Sequence, residues 1–427
     1  MKKELSIIIL AYNEADNLKL LVPKIKTVVS ELTSAYEIIV VDGNSYDGTA
    51  EIAKSFDCKV ITQRIPGYGS AFKQAFEVAG GKYAITLDAD CSHNPKFING
   101  LWEKRNECQL VIASRYVRGG GASMPFFRKI LSIILNKAYS LTLSLPYKDL
   151  SSGFRLYDTG IAKSLLNTIS AEDFNILAEI LIKIHCDGYH IMEIPFFYEP
   201  RRHDRSTAKI FKFGLSYART LYQSWQLRNS NFSADYDDRA FDSIIPLQRY
   251  WQRKRYSLIM KMAKGEGRLV DLGCGSSRII QNLEHSVGLD ISLKKLNYIK
   301  NKVSNLLVKG SIAKLPFKDE VFSRAICSQV VEHIPKESLD LGEFNRVLKN
   351  GGRLIIGTPD YAAFWWRFFE WFYVRILPLA YGEGHIAHYD RKELCSLLEK
   401  NGFEILEYKY IMKGELIVHA KKRDVGI

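Results

Sequence analysis

The chain has little of what marks a membrane-spanning, disulfide-stapled or zinc-ribbon protein. No run approaches the roughly 18–20 uninterrupted apolar residues needed to cross a bilayer as a helix. The seven cysteines are odd in number, scattered, and never form a CxxC pair, which argues against a zinc site or secreted disulfide framework and for a reducing compartment. No basic tract or arginine-rich tail stands out, although the net charge is +13. That charge is spread over both halves, so anionic lipid or phosphorylated substrates fit it better than nucleic acid. The opening Met1-Lys2-Lys3 and the apolar stretch from Leu5 to Ala11 are too short for a signal peptide and end in Tyr12-Asn13-Glu14. We read a buried first strand there and expect a cytoplasmic protein.

What is present is ordinary globular composition, 47% hydrophobic and 25% charged over 427 residues, enough for more than one core. Twice, a short apolar run ends in a loop, a helix pattern and a second apolar run closed by an acid. The first instance is Leu5 to Leu10, then Glu37 to Val41 and Asp42; the second is Arg268 to Leu272, then Ser286 to Leu289 and Asp290. This alternation predicts an α/β protein with two Rossmann-like, parallel-sheet domains, each binding its ligand beyond the strands' carboxyl ends. The expected boundaries are 1–228 and 241–427, joined by a linker over 229–240 that opens with the polar stretch Asn229 to Asp235. The basic, aromatic run Arg249 to Met262 reads as a helix leading into the second domain.

In the first half, Asp88-Ala89-Asp90 follows a strand pattern from Lys82 to Leu87. Residues i and i+2 of an extended chain face one side, so both carboxylates can meet one hard cation, Mg²⁺ or Mn²⁺, at a diphosphate. An isolated pair of this kind would be a solvated turn, but further motifs accompany it. Leu10-Ala11-Tyr12-Asn13-Glu14, Val40 to Ser45 with Asp47-Gly48-Thr49, and Asp88 to Pro95 resemble family-2 glycosyltransferases. Ser114-Arg115-Tyr116 with Gly119 to Gly121, and Asp149 to Tyr157, narrow the resemblance to the dolichol-phosphate mannosyltransferase branch over about residues 5–225. The resemblance implies a glycosyltransferase A-type fold in which Ala11, Tyr12, Glu14, Asp42, Asp88, Ala89 and Asp90 hold the nucleotide sugar. It further implies that Asp88 and Asp90 carry the metal, with Ser92 a weaker ligand, and that Arg115, Arg128 and Arg201 grip donor and acceptor phosphates. Asp204 and Thr207 stand where the family often has glycine and lysine, in a loop where Arg205 and Lys209 can compensate.

The chemistry separates two kinds of acceptor. A sugar hydroxyl needs a general base, for which Glu172, Asp173 and Glu179 are candidates, whereas a lipid phosphate is already an anionic nucleophile that arginines position. The arginines favour a polyprenyl phosphate.

In the second half, Asp271-Leu272-Gly273-Cys274-Gly275 has two glycines of a GxGxxG loop, with Arg278 at the third position. Asp290 follows Asp271 by 290 − 271 = 19 residues, the distance at which an acid grips a ribose. With Leu315-Pro316-Phe317, Val331-Glu332-His333-Ile334 and Val347 to Leu354, the set is similar to class I S-adenosylmethionine-dependent methyltransferases over about residues 235–421. That resemblance places Asp271, Gly273 and Gly275 at the methionine end of S-adenosyl-L-methionine and Asp290 on its ribose. Ser311 and Ser323 replace two acids frequent in that class. His385 and His388 lie where acceptor contacts fall; each is a candidate base or a loop-capping residue, and no further Cys or His cluster in the sequence marks a metal site there.

Between Tyr361 and Tyr381, 10 of 21 residues are aromatic, with Pro359-Asp360 as a helix start and Pro378 as a stop. The charges Arg367, Glu370 and Arg375 share one arc of about 140°, leaving a broad aromatic face for a lid helix or an in-plane membrane helix.

The expected protein is a metal-dependent inverting enzyme at the inner membrane face. It would move a hexose from a nucleotide-diphosphate sugar to a polyprenyl phosphate and is fused to a methyltransferase. Two alternatives are transfer to a glycan hydroxyl, and a nucleic-acid-binding methyltransferase with a degenerate first domain; the intact Asp88/Asp90 pair opposes the latter.

Overall fold

The computed structural model describes residues 3–200, 210–300, 302–376 and 384–424. The chain divides into two compact units, one of residues 1–185 and 189–225, the other of 186–188 and 226–427.

The first unit is built on β1 (Leu5–Ala11), β2 (Tyr36–Asp42), β3 (Lys59–Thr62), β4 (Tyr83–Asp88), β5 (Leu110–Ser114), β6 (Gly121–Ala122), β7 (Arg155–Asp158), β8 (Ile191–Pro195) and β9 (Phe197–Tyr198). Its seven-stranded sheet runs β3-β2-β1-β4-β7-β5-β8, and β6 pairs with β9. Ile7, Ile8 and Ile9 are all fully buried, because a central parallel strand is covered on both faces. The helix Ala15–Leu32 buries Leu18, Leu21, Val22, Ile25 and Val29, the three-and-four spacing of a single core-facing stripe. In register, Ala11 pairs with Asp42 and Leu10 with Asp88. Three loops therefore emerge side by side where the strand order reverses between β1 and β4, the place where open α/β sheets bind ligands.

The second unit contains β10 (Leu269–Leu272), β11 (Ser286–Asp290), β12 (Leu306–Lys309), β13 (Phe322–Ser328), β14 (Leu348–Pro359), β15 (Phe403–Ile411) and β16 (Glu415–Lys422). Its sheet order is β12-β11-β10-β13-β14-β16-β15, with the same reversal between β10 and β13.

Neither sheet is all-parallel as the alternation of strands and helices predicts. β7 runs antiparallel to both β4 and β5. The chain leaves β5 at Ser114 and is still at that carboxyl end at Asp149, which accepts from the Arg115 amide, so it re-enters the sheet from the opposite direction. β15 and β16 are joined by the short turn Met412-Lys413-Gly414, which forces an antiparallel pair, and β16 then pairs antiparallel with β14.

The segment 229–240, expected as a linker, falls within the second unit and includes most of a helix, Tyr236–Phe241. Its acids Asp235, Asp237 and Asp238 are held in ion pairs with Arg228, Lys295 and Arg278. The expected helix at 249–262 is present as Pro246–Met262, anchored by Arg255, whose Nε and Nη2 donate to the buried Glu415 at 2.6 and 2.7 Å. The aromatic helix spans Phe364–Ile376, starting later than expected because Ala362 N–H and Ala363 N–H are spent on Asp360. It is divided in character. Trp366 and Phe369 pack on Trp251 in the core, while Phe364, Trp365, Phe368, Trp371 and Phe372 are exposed.

Candidate active sites

At the carboxyl ends of β1 and β2 the loops interlock through their own polar groups. Gly43 N–H donates to the Ala11 carbonyl at 2.8 Å, and Asn13 N–H to Ser45 Oγ at 2.8 Å. Ala15 N–H donates to Asp47 Oδ2 at 3.0 Å. Asp42 is buried and accepts from Ser45 N–H, Glu14 accepts from the Asn17 amide, and the Tyr12 ring stands exposed at the rim. Four of the seven residues expected to hold the nucleotide sugar, Ala11, Tyr12, Glu14 and Asp42, thus lie at or just beyond adjacent strand ends.

Asp88 is the last residue of β4, and Asp90 lies beyond it in a turn closed by Cys91 at φ +61°. The two carboxylates therefore do not share a strand face as expected: the turn, not the pleat, sets Asp90. Ala89 is buried between them. Asp90 Oδ1 accepts from Ser92 N–H at 3.0 Å and from the Ser92 hydroxyl. Ser92 is fully buried and spends its proton holding that carboxylate. Asp88 N–H donates to His93 Nδ1 at 2.9 Å, which leaves the ring proton on Nε2, 3.7 Å from Asp88 Oδ2. One partly exposed and one buried, oriented carboxylate suit a hard cation.

Asp88, Arg115 and Arg128 line one cavity of about 100 Å³, with His93, Tyr68 and Tyr198. Arg115 donates from Nε and Nη2 to Asp149 at 2.8 and 2.7 Å and from Nη2 to Ser151 Oγ at 2.7 Å. Burial pushes the Asp149 carboxyl up, but the Arg115 hydrogen bonds and charge outweigh it and hold it below its ordinary value. Among the described residues Nη1 of Arg115 makes no hydrogen bond. Arg155, in the same motif, is fully buried and ties the carbonyls of Leu150 and Leu177 at 2.6 Å each, fixing the loop that carries Asp149 to Gly153. Arg201, Asp204, Arg205, Thr207 and Lys209 lie outside the described residues.

None of the three candidate bases lines this cavity. Glu179 is buried, accepts from Ser170 N–H and Ala171 N–H at 3.0 and 2.8 Å, and pairs with Lys183. Glu172 is exposed, with its carbonyl bound by Gly69 N–H. Asp173 caps a turn by accepting Ile176 N–H on its carbonyl. Asp88 is the only carboxylate among the described lining residues.

The helix Phe126–Thr142 carries Arg128 and has a feature that the motif reading passes over. At about 100° per residue, Phe126, Phe127, Leu131, Ile134 and Leu141 fall within one arc of about 140°, opposite the buried Asn136 and Tyr139. All five are exposed, Phe126 by 79% and Leu141 by 78%.

In the second unit, Gly273 and Gly275 have φ of +76° and +54°. A Cβ on Gly273 would lie 2.3 Å from the Val330 side chain, so the glycine is required by the protein's own packing. Asp290 accepts from Gly275 N–H at 2.8 Å and Ser292 N–H at 2.7 Å. Asp271 is buried, its Oδ2 has no partner, and burial followed by the Asp290 charge pushes its carboxyl up to about 7. A cradle of positive-φ glycines beside an unpaired buried acid fits a ligand bearing a cationic group. Arg278, at the third-glycine position, pairs with Asp238 and, at 3.1 Å, with Asp242. Asp237 accepts from Ser276 N–H at 3.2 Å and Lys295 at 2.9 Å. These acids sit some forty residues upstream of the loop, too far for any local pattern to connect them.

His385 and His388 are unequal. His388 is exposed and stacks on Tyr361 at 3.9 Å. His385 is drawn in, its Nδ1 2.5 Å from the Tyr361 hydroxyl, and a cluster that the sequence did not reveal forms around it: ligand atoms of Glu332, His333 and His385 lie within 4.8 Å of one another.

Glycosyl transferase family 2 matches residues 6–166, and a Methyltransferase domain matches residues 270–356. Dolichol-phosphate mannosyltransferase of Pyrococcus furiosus is 34% identical over 230 residues, covering 52% of this chain and 63% of that protein. The Mycosarcoma maydis protein of the same name is 31% identical over 221 residues, 47% of this chain and 72% of the relative. A solved SAM-dependent methyltransferase of Thermotoga maritima aligns at 22% identity and TM-score 0.34, over 43% of this chain and 98% of its own. Through its first unit the chain belongs to glycosyl transferase family 2, among the relatives of the dolichol-phosphate mannosyltransferases, and its second unit carries a methyltransferase domain.

Proposed function

We propose that the first unit transfers a hexose such as mannose from a nucleotide-diphosphate sugar to a polyprenyl phosphate with inversion. One observation carries this reading. The helix whose Arg128 lines the cavity also presents an exposed apolar face, so a single element offers a cation for a phosphate and a surface for its lipid. Arg128 and the Nη1 group of Arg115 hold the acceptor phosphate so that one oxygen reaches the anomeric carbon. The carbon–oxygen bond to the diphosphate breaks and the nucleoside diphosphate leaves with the electron pair. A phosphate oxygen needs no base, in keeping with Asp88 as the only carboxylate among the described lining residues. Asp88 and Asp90, the latter steadied by Ser92, would hold Mg²⁺ or Mn²⁺, which supplies positive charge to the leaving diphosphate. Ala11, Tyr12, Glu14 and Asp42 would receive the nucleoside end, and Ala89 would complete the nucleotide-sugar site.

The second unit would bind S-adenosyl-L-methionine, with Asp271, Gly273 and Gly275 at its methionine end and Asp290 at the ribose. We infer that it methylates the sugar that the first unit installs, a reading motivated by the fusion. Among the described residues no helix is long and apolar enough to cross a membrane, and the exposed faces support peripheral attachment at the inner leaflet. Nucleic acid is not an expected partner.

The test is product analysis by mass spectrometry. The purified full chain is given nucleotide-diphosphate hexoses and methyl donor, with either polyprenyl phosphate or free oligosaccharide as acceptor. An acid-labile lipid-linked hexose is expected. Sugar appearing only on the oligosaccharide would overturn the phosphate-acceptor reading, and absence of a methylated glycolipid would overturn the sequential one.

A further inference from the structure

We propose that Glu332, His333 and His385 form a divalent-cation site in the second unit, separate from the Asp88/Asp90 pair of the first. Glu332 and His333 belong to the short turn Val331–His333 that follows β13, and His385 comes from a segment more than fifty residues later. The two are locked together by backbone: Ile386 N–H and Ala387 N–H both donate to the Glu332 carbonyl, at 2.8 and 3.0 Å. This brings one carboxylate oxygen and two imidazole nitrogens within 4.8 Å of one another, close enough to share one ion.

Three further observations point to a ligand. Glu332 is fully buried; one carboxylate oxygen accepts from Thr358 at 3.2 Å, and the other, Oε1, has no hydrogen-bond partner. A buried carboxylate left half-satisfied costs free energy that a cation would offset. His385 is oriented in the manner of a metal-bound imidazole. The Tyr361 hydroxyl donates to Glu370 at 2.8 Å, so its oxygen accepts from His385 Nδ1–H, with Glu370 itself 3.4 Å from that nitrogen. A proton held on Nδ1 leaves Nε2 as the lone-pair nitrogen, the usual second-sphere arrangement of carboxylate, histidine and metal. The His333 and His385 rings pack edge to face at 5.0 Å, which limits how far either can swing away.

Two nitrogens and one oxygen suit a borderline ion such as Mn²⁺, Fe²⁺, Co²⁺ or Zn²⁺ better than Mg²⁺ or Ca²⁺. Three protein ligands leave coordination positions open. Val330, two residues before Glu332, packs against the Gly273 loop, so the cluster adjoins the methyl-donor cradle. An ion there would take an oxygen of the methyl acceptor, which favours hydroxyl-bearing compounds as its class. That last step rests on the methyltransferase reading; cation binding does not.

The experiment uses the full chain carrying Asp90→Asn, to weaken the other acidic site, titrated with Co²⁺ and followed by visible absorption. One ion per chain is expected, with visible d–d bands shifted from those of aqueous Co²⁺. His333→Ala, His385→Ala and Glu332→Gln should each weaken uptake at least about tenfold, Tyr361→Phe by about tenfold through loss of the orienting bond, and His388→Ala should leave it unchanged. Thermal melting without metal identifies any variant that fails to fold, and His333→Ala and Tyr361→Phe, both at half-buried positions, provide independent readings. Absence of any Co²⁺ bands distinct from the aqueous ion in the parent, or equal affinity in folded His333→Ala and His385→Ala variants, would overturn the site. A failure of methyl transfer with cobalt binding intact would count against the methyltransferase reading alone.

Discussion

The Arg115 guanidinium meets the buried Asp149 carboxylate along one edge, Nε to Oδ2 at 2.8 Å and Nη2 to Oδ1 at 2.7 Å, and Nη1 makes no hydrogen bond among the described residues. Asp149→Asn is expected to lower sugar transfer chiefly through KM for the phosphate acceptor, and to destabilise the chain by about 3–5 kcal/mol because Arg115 is left unpaired. The Asp149 carboxyl is depressed in the fold, so its contribution is fully present above the unfolded value near pH 4 and is lost as pH falls through the folded value. Acid melts of parent and variant should converge below that point; curves that stay parallel would refute the role.

Asp90→Asn should abolish hexose transfer with the fold intact by circular dichroism. Ser92→Ala should slow it by about 10–100-fold and raise the Mn²⁺ concentration needed, since Ser92 orients Asp90. Full activity in excess EDTA would contradict the metal assignment for this unit.

Arg278→Gly completes the third glycine of the loop, yet it should destabilise the second unit by about 1–3 kcal/mol, because Asp238 loses its guanidinium partner. Denaturant melts check this. A gain in stability would mean that the helix Tyr236–Phe241 is not held as described.

Asp271 is raised to about 7 in the fold, so the native state binds a proton the unfolded chain has released, and stability falls as pH rises from about 4 through 7. Asp271→Asn should flatten that decline and stabilise the donor-free protein at pH 8, by at most on the order of 4 kcal/mol, while weakening methyl-donor binding in calorimetry. Gly273→Val is a poorer probe, since the new side chain collides with Val330 before any ligand is considered. An unchanged pH profile in Asp271→Asn would show that this acid carries no such load.

Vesicle flotation separates the two apolar surfaces. Phe127→Ser with Ile134→Ser removes exposed rings and branches from the first unit, and Trp365→Ser, Phe368→Ser and Phe372→Ser do the same in the second. Phe369 is left in place because it packs on Trp251. Burying each large side chain in lipid stabilises by about 1.5–3 kcal/mol, so loss of two or three from a docking face should cut flotation at least tenfold. If both variants float like the parent, neither face meets the membrane.

The sequence alone was sufficient for the two α/β units, for the loops after Ala11, Asp42, Asp88 and Asp271, and for the family resemblance, because all of these rest on residues near one another in the chain. Apolar runs buried on both faces, turn glycines and an acid at a strand end leave local patterns. Tertiary structure decided the rest. It set Asp90 by a turn instead of a strand, reversed β7 and the β15–β16 hairpin, and withdrew Glu179 into a loop cap. It turned a polar stretch expected to be a linker into the partner of Arg278 and Lys295, and it brought His385 to Glu332 and His333. Each of these depends on groups far apart in sequence whose charges or hydrogen bonds are satisfied only once the sheet has placed them together, and periodicity and spacing carry no record of such pairings.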